Sequence, residues 1–174
     1  MTLKEKIVFD LPYKLVGHCW IPCKSRYEKS YELNSLALIA IEKAIAEKYG
    51  WDEILEIVKD TWKKLAGEGV KKIINEFGFK KMNAKTAIKI FSLLATLLGF
   101  KHKIVKISED ESIGIIYKCS HWDAMKALGI TDKWKCKEIH MTFVNAALKE
   151  INPNLKVELV EAMPDGHKYC KMIL

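Results

Sequence analysis

The stretch Lys101-His102-Lys103-Ile104-Val105-Lys106-Ile107-Ser108-Glu109-Asp110-Glu111-Ser112-Ile113-Gly114-Ile115-Ile116-Tyr117-Lys118 is where the chain changes its period. Before it, apolar residues recur every three or four positions; within it they alternate. Residues 102–107 and 112–118 read as two strands joined by the acidic turn Glu109-Asp110-Glu111. Ile113, Ile115 and Tyr117 fall on one face of the second strand.

Upstream lie four helical patterns. Asn34 can cap a helix running to Tyr49 and closed by Gly50. Asp52 can cap the next, with Leu55, Val58, Trp62 and Leu65 on one face and a break at Gly67 and Gly69. A short helix carrying Val70, Ile73, Ile74 and Phe77 stops at Gly78. Asn83 can cap the fourth, with Ala87, Ile88, Phe91, Ala95 and Leu98 inward and Gly99 at its end.

Downstream, Ser120 and Asp123 resemble a capping box for a short helix ending at Gly129. Thr131 can cap a longer helix to about Ile151, ended by Asn152-Pro153. Strands over 155–162 and 167–173 flank the turn Pro164-Asp165-Gly166. The order is four helices, a hairpin, two helices and a hairpin. That predicts an α+β fold: a helical N-terminal half, then an antiparallel sheet of two hairpins with helices packed on it. Residues 1–33 read as an N-terminal arm, extended over 6–15, and residues 34–174 as one domain. There is no internal repeat and no low-complexity linker.

With 174 residues, 49% hydrophobic and 29% charged, the chain can bury a core. The apolar run from Ile88 to Phe100 is shorter than a membrane span and contains Lys89. Met1-Thr2-Leu3-Lys4-Glu5-Lys6 has no apolar stretch of a signal peptide, so a cytoplasmic location is expected. The net charge of +7 rests on lysines, Arg26 being the lone arginine. Nucleic-acid readers lean on arginine forks, and these lysines are mixed with glutamates as on a solvated face. No nucleic-acid or membrane partner is expected. Scarce Arg beside abundant Lys, Glu and Ile is also a compositional hint of a thermophilic source.

Five cysteines stand at 19, 23, 119, 136 and 170. In a reducing compartment, clustered cysteines point to metal or catalysis more than to disulfides. On the helix over 132–151, the inward positions are Cys136, Ile139, His140, Phe143, Val144, Ala147 and Leu148. Cys136 and His140 are thus one turn apart and can converge on one point. Cys119 ends the second strand, and Cys170 shares a strand face with Met172. Three cysteines and a histidine suit tetrahedral zinc, and a soft thiolate set also suits iron or an iron–sulfur cluster. The other reading is plain: free cysteines are among the most buried residue types and pack as small hydrophobes. The pattern alone leaves both open.

His121 reads mainly as a solvent-exposed helix-start residue, with a supporting role at the Cys/His site as the alternative. Trp122 and Trp134 can wall a pocket near the cysteines. Cys19 and Cys23, in His18-Cys19-Trp20-Ile21-Pro22-Cys23, lack redox C-x-x-C spacing, and that segment reads first as an arm packed through Trp20 and Ile21, with a reactive Cys19 thiolate beside His18 and a swapped or dimer-forming arm as the alternatives. Phosphate loops and nucleophile elbows are absent.

Four features recur in order: Cys119-Ser120-His121-Trp122, Cys136-x-x-x-His140, Asn152-Pro153-Asn154-Leu155 and Gly166-His167-Lys168-Tyr169-Cys170. Together they resemble the L-2-amino-thiazoline-4-carboxylic acid hydrolase family over roughly residues 118–172. His140 stands where that family carries the second cysteine of C-x-x-x-C. Met141, Thr142 and Phe143 follow where it carries an acidic residue. The element order is also similar to vinyl-reductase-like and TRAPP-like ligand-binding domains. That resemblance implies a frequently dimeric α+β fold, cysteines near the last hairpin able to bind zinc, and a pocket for an apolar or tetrapyrrole-like ligand.

Three functions follow as expectations. The first is a hydrolase acting on a small heterocyclic or amide C–N or C–S bond. Cys119, Cys136, His140 and Cys170 would be metal ligands, or Cys119 a nucleophile, with His121 as acid/base. The second is a non-enzymatic, metal-containing domain that binds a small ligand or cofactor. The third is an interaction protein whose cysteines only pack.

Overall fold

In the computed structural model, which describes residues 23–174, the helical half starts earlier and breaks less often than the pattern predicts. Helix α1 spans Cys23–Tyr49 and therefore runs through Asn34. Tertiary contact explains the early start: the Tyr27 hydroxyl donates to the Thr96 carbonyl at 2.7 Å, and Tyr31 packs on Gly99. The part of the predicted arm from Cys23 onward is thus helix. The extended arm over 6–15 and the His18–Pro22 segment lie outside the described residues.

Helix α2 spans Trp51–Phe77 and absorbs two predicted helices. Gly67 and Gly69 do not break it. A glycine inside a helix costs about 1 kcal/mol relative to alanine. Burial of Ala66, Val70 and Ile73 in the main core offsets that cost, and Gly67 faces Glu150 at ordinary contact distance. Asp52 does not cap; Gly50 occupies that place, and Asp52 sits in the first turn, where the helix dipole favours a carboxylate. Gly78, at φ 62°, closes α2 as expected. Helix α3 spans Ala84–Leu97, and Asn83 caps it by accepting from the Thr86 N–H at 3.1 Å.

Strands β1 (Lys101–Lys106) and β2 (Ile113–Lys118) form the predicted hairpin. Helix α4 (Ser120–Ala127) follows, capped by Cys119 rather than by Ser120. The Ser120 hydroxyl is engaged elsewhere, accepting a buried hydrogen bond from Ser35 of α1 at 2.8 Å. Helix α5 spans Cys136–Ile151, starting well after Thr131. Residues 131–134 form a turn instead, in which Trp134 donates its N–H to the Ile130 carbonyl and buries its indole. Strands β3 (Glu158–Glu161) and β4 (Cys170–Ile173) are shorter than predicted and flank a 3-10 turn at Met163–Asp165.

The strands form one antiparallel sheet in the order β1-β2-β4-β3. Directly opposed residues share a face. Register therefore places His102, Ile116 and Cys170 in one row, and Ile104, Gly114, Met172 and Leu159 in the next. These rows face the helices. Ile113, Ile115 and Tyr117 share the other face, with Tyr117 exposed.

One apolar cluster joins α2, α3, α5 and the sheet; a second joins α1, α2, α4 and Trp134. Among the described residues no helix is long and apolar enough to cross a membrane.

Candidate functional site

Between the two clusters lies a cavity of about 120 Å³. Its wall takes in Cys119, His121 and Trp122 from the β2–α4 junction and Trp134, Cys136 and His140 from the start of α5. Cys170 of β4 joins them. All seven residues expected from the sequence therefore reach one space. The rest of the wall is mainly apolar, including Ile39, Trp62, Phe91, Phe100, Phe143 and Met172. Lys103 and Lys137 line it too but are exposed, so they stand at its rim; Lys137 is paired with Asp165 at 2.6 Å.

Local structure aims each group. Cys119 ends β2 and begins α4, so its Sγ accepts the Trp122 N–H at 3.5 Å. Cys170 accepts the Met163 N–H at 3.4 Å, tying β4 to the 3-10 turn. His140 lies one turn beyond Cys136, and its Nε2 is 3.4 Å from the Met172 sulfur. A thioether offers only lone pairs, so the proton belongs on Nε2 and Nδ1 is left as an acceptor. His102, across the row from Ile116, sits 2.7 Å from the Ser92 hydroxyl and 3.2 Å from the Phe100 carbonyl.

His121 is not the solvent-exposed residue expected. Its ring stands edge-on between Trp62 and Phe100, with centroids 5.6 and 5.4 Å away. The cavity opening at the start of α4 draws it inward, where the aromatic edges hold it.

Burial sets the electrostatics. It pushes the Cys119 thiol up to about 11, although N–H groups of Trp122 and His121 partly oppose the shift. It pushes Cys136 up to about 12 and raises Cys170 as well. Burial lowers His140 to about 4 and His121 to about 4, the latter helped by repulsion from His140. Near neutral pH these thiols are protonated and these imidazoles uncharged.

The expected metal set of Cys119, Cys136, His140 and Cys170 shares this wall. Among the described residues, however, no three His, Cys, Asp or Glu side chains form a group that could hold a metal ion. The three cysteines are free thiols.

A carboxylate in the wall was missed from the sequence. Glu42 of α1 lines the cavity, and its Oε2 is buried with no hydrogen-bond partner among the described residues. Its signal was present in the spacing. Ser35, Ile39 and Ala46 form the buried stripe of α1, and Glu42 falls in that stripe between Ile39 and Ala46. His102, which carried no signal, was missed as well.

Two solved structures share the fold. One is trafficking protein particle complex subunit 3 from Naegleria fowleri, covalently bound to palmitic acid, at TM-score 0.55 and 13% identity. That match covers 83% of this chain and 93% of the other. The other is the phenol-responsive sensory domain of the transcription activator PoxR with phenol, at TM-score 0.55 and 10% identity. It covers 80% of this chain and 72% of the other. No curated protein matches the chain. Residues 30–174 match the L-2-amino-thiazoline-4-carboxylic acid hydrolase family, and the chain belongs to that family.

Proposed function

We propose that this protein is a hydrolase-like domain that takes a small, uncharged, mainly apolar molecule into the cavity between its two clusters. One observation carries this reading: the cavity wall is mainly apolar, and burial in it holds the Cys119, Cys136 and Cys170 thiols and the His121 and His140 imidazoles in their neutral forms. A wall that drives its own groups toward neutrality penalises a charged guest in the same way. The size agrees. An engineered apolar cavity of about 150 Å³ accepts benzene, and this one is about 120 Å³. The family match supports a hydrolase-like or small-ligand-binding domain, and both related structures are described with a small organic ligand.

Trp62, Trp122 and Trp134 line the cavity, so occupancy is readable by tryptophan fluorescence. Titration with toluene is expected to give saturable quenching, whereas benzoate and benzylammonium leave the emission unchanged. Equal binding of the charged probes would sink this reading.

A second reading has its own observation. The thiol of Cys119 meets backbone N–H groups at the start of α4, an arrangement that favours a thiolate once a ligand or proton acceptor removes the proton. In this reading the Cys119 sulfur adds to the carbon of a C–N or C–S bond, His121 passes the thiol proton to the nitrogen or sulfur that leaves, and water then cleaves the new C–S bond to free Cys119 and the product. Turnover of a thiazoline or carbamoyl substrate that survives Cys119→Ser would eliminate it. A zinc or iron centre on Cys119, Cys136, His140 and Cys170 would require those side chains to close in. Elemental analysis of protein purified without oxygen, beside a Cys136→Ser/His140→Ala variant, decides that point.

A further inference from the structure

Among the described residues, the Glu42 carboxyl in the cavity wall has a buried oxygen that no side chain or backbone group satisfies. Glu42 lines the cavity from α1, on the same helical stripe as Ile39, and Met125 and Trp134 line the same space. The unmet oxygen is Oε2. The neighbouring cation, Lys43, turns away and donates to the Leu128 carbonyl at 3.1 Å. An unmet buried acceptor carries a desolvation cost that a hydrophobic residue at this place would not. The flanking residues of the buried stripe on α1 are Ser35, Ile39 and Ala46.

From this geometry we infer that Glu42 is the specificity-determining residue of the cavity, accepting a hydrogen bond from an N–H or O–H group on an otherwise apolar ligand. This rests on the reading of the cavity as a small-molecule site and adds what that molecule must carry. Burial raises the Glu42 carboxyl to about 7. It can therefore accept through an oxygen in either protonation state. A ligand of this class has a ring-sized apolar body and one donor. The body meets the aromatic and aliphatic wall, and the donor meets Oε2. A molecule of the same shape without the donor leaves the acceptor unmet, the situation in which binding sites discriminate most strongly.

The test uses four ring-sized probes on the full chain: phenol and aniline, which carry a donor, and anisole and toluene, which do not. Affinities come from tryptophan quenching, with wild type compared to Glu42→Leu. Wild type is expected to prefer phenol over toluene by about tenfold or more, the scale of one hydrogen bond to a carboxyl group. Glu42→Leu is expected to lose that preference while keeping or improving toluene binding. A second readout needs no variant: the Glu42 side-chain carboxyl carbon-13 resonance should move with phenol and stay still with toluene. A phenol preference unchanged in Glu42→Leu, or a carboxyl resonance indifferent to phenol, overturns the assignment. Toluene binding with no phenol preference in wild type overturns Glu42's role alone. Failure of all four probes to bind overturns the cavity reading together with it.

Discussion

Ser35 donates its hydroxyl to the Ser120 hydroxyl at 2.8 Å, inside the core and across 85 residues of chain. The bond pins α1 against the first residue of α4, next to Cys119. It also explains why Ser120 does not cap its own helix.

Removing one hydroxyl of this pair should therefore cost more than removing both. Ser120→Ala leaves the Ser35 hydroxyl buried without its partner, a loss of about 1–3 kcal/mol. The double variant Ser35→Ala/Ser120→Ala should recover much of that loss. Urea denaturation of Ser35→Ala, Ser120→Ala, the double variant and wild type closes the cycle, and strictly additive losses would refute the coupling.

Gly114 is expected to resist enlargement because of α3. A Cβ there would stand 2.8 Å from Ile88 Cδ1, and Ile88 is buried. Gly114→Ala should cost about 1–3 kcal/mol through overpacking. Ile88→Val removes the clashing methyl, so the double variant should be more stable than the sum of the single losses predicts. Thermal melting of the four proteins reads this out.

Acid should destabilise the fold through its neutral histidines. His121 and His140 are lowered to about 4, against an ordinary value of 6.5. The unfolded chain therefore binds more protons below about 6.5. The stability these groups contribute is complete above that pH and is lost as pH falls toward 4. The full loss is on the order of 3 kcal/mol per ring. Glu42, raised to about 7 from 4.5, has the opposite sign: it favours the fold at low pH and loses that contribution as pH rises through 7. Glu42→Gln should thus raise stability at pH 8 and steepen the acid loss, and His140→Leu should flatten it. Urea midpoints from pH 4 to pH 8 measure both slopes.

The thiols should be sluggish. With Cys119 near 11, Cys136 near 12 and Cys170 also raised, little thiolate exists at pH 8. Iodoacetamide should label these three positions many times more slowly in folded protein than in urea, by peptide mass spectrometry. Fast labelling of Cys119 in folded protein would instead mark it as an activated nucleophile.

The sequence foretold the class of fold and the convergence of the C-terminal groups. Period-two alternation over residues 101–118 marked the hairpin, and i, i+4 spacing placed Cys136 beside His140. Helix ends were legible only where a local bond decided them. Asn83 does cap α3, whereas Asn34, Asp52, Ser120 and Thr131 have capping chemistry and do not cap. Contacts distant in sequence override the local preference: Tyr27 to Thr96 extends α1 back past Asn34, and Ser35 engages the Ser120 hydroxyl. Gly67 and Gly69 stay helical for a similar reason: the core along α2 outweighs their entropy. His121 was misplaced because a histidine one residue into a helix carries no mark of the aromatic edges awaiting it. Glu42 carries no motif, and only its place between Ile39 and Ala46 on the buried stripe of α1 marks it.

The space between the two clusters has a consequence for how the molecule responds to its guest. The helical cluster around α1 and the sheet-based cluster around α3 meet across the cavity rather than filling it. A bound molecule would complete that contact as a keystone completes an arch. By mass action it would stabilise the folded state by RT ln(1 + [L]/Kd), about 2.7 kcal/mol at a hundredfold excess over Kd. Resistance to heat would then report on what the cell has supplied, turning the gap between the two clusters into a gauge of its surroundings.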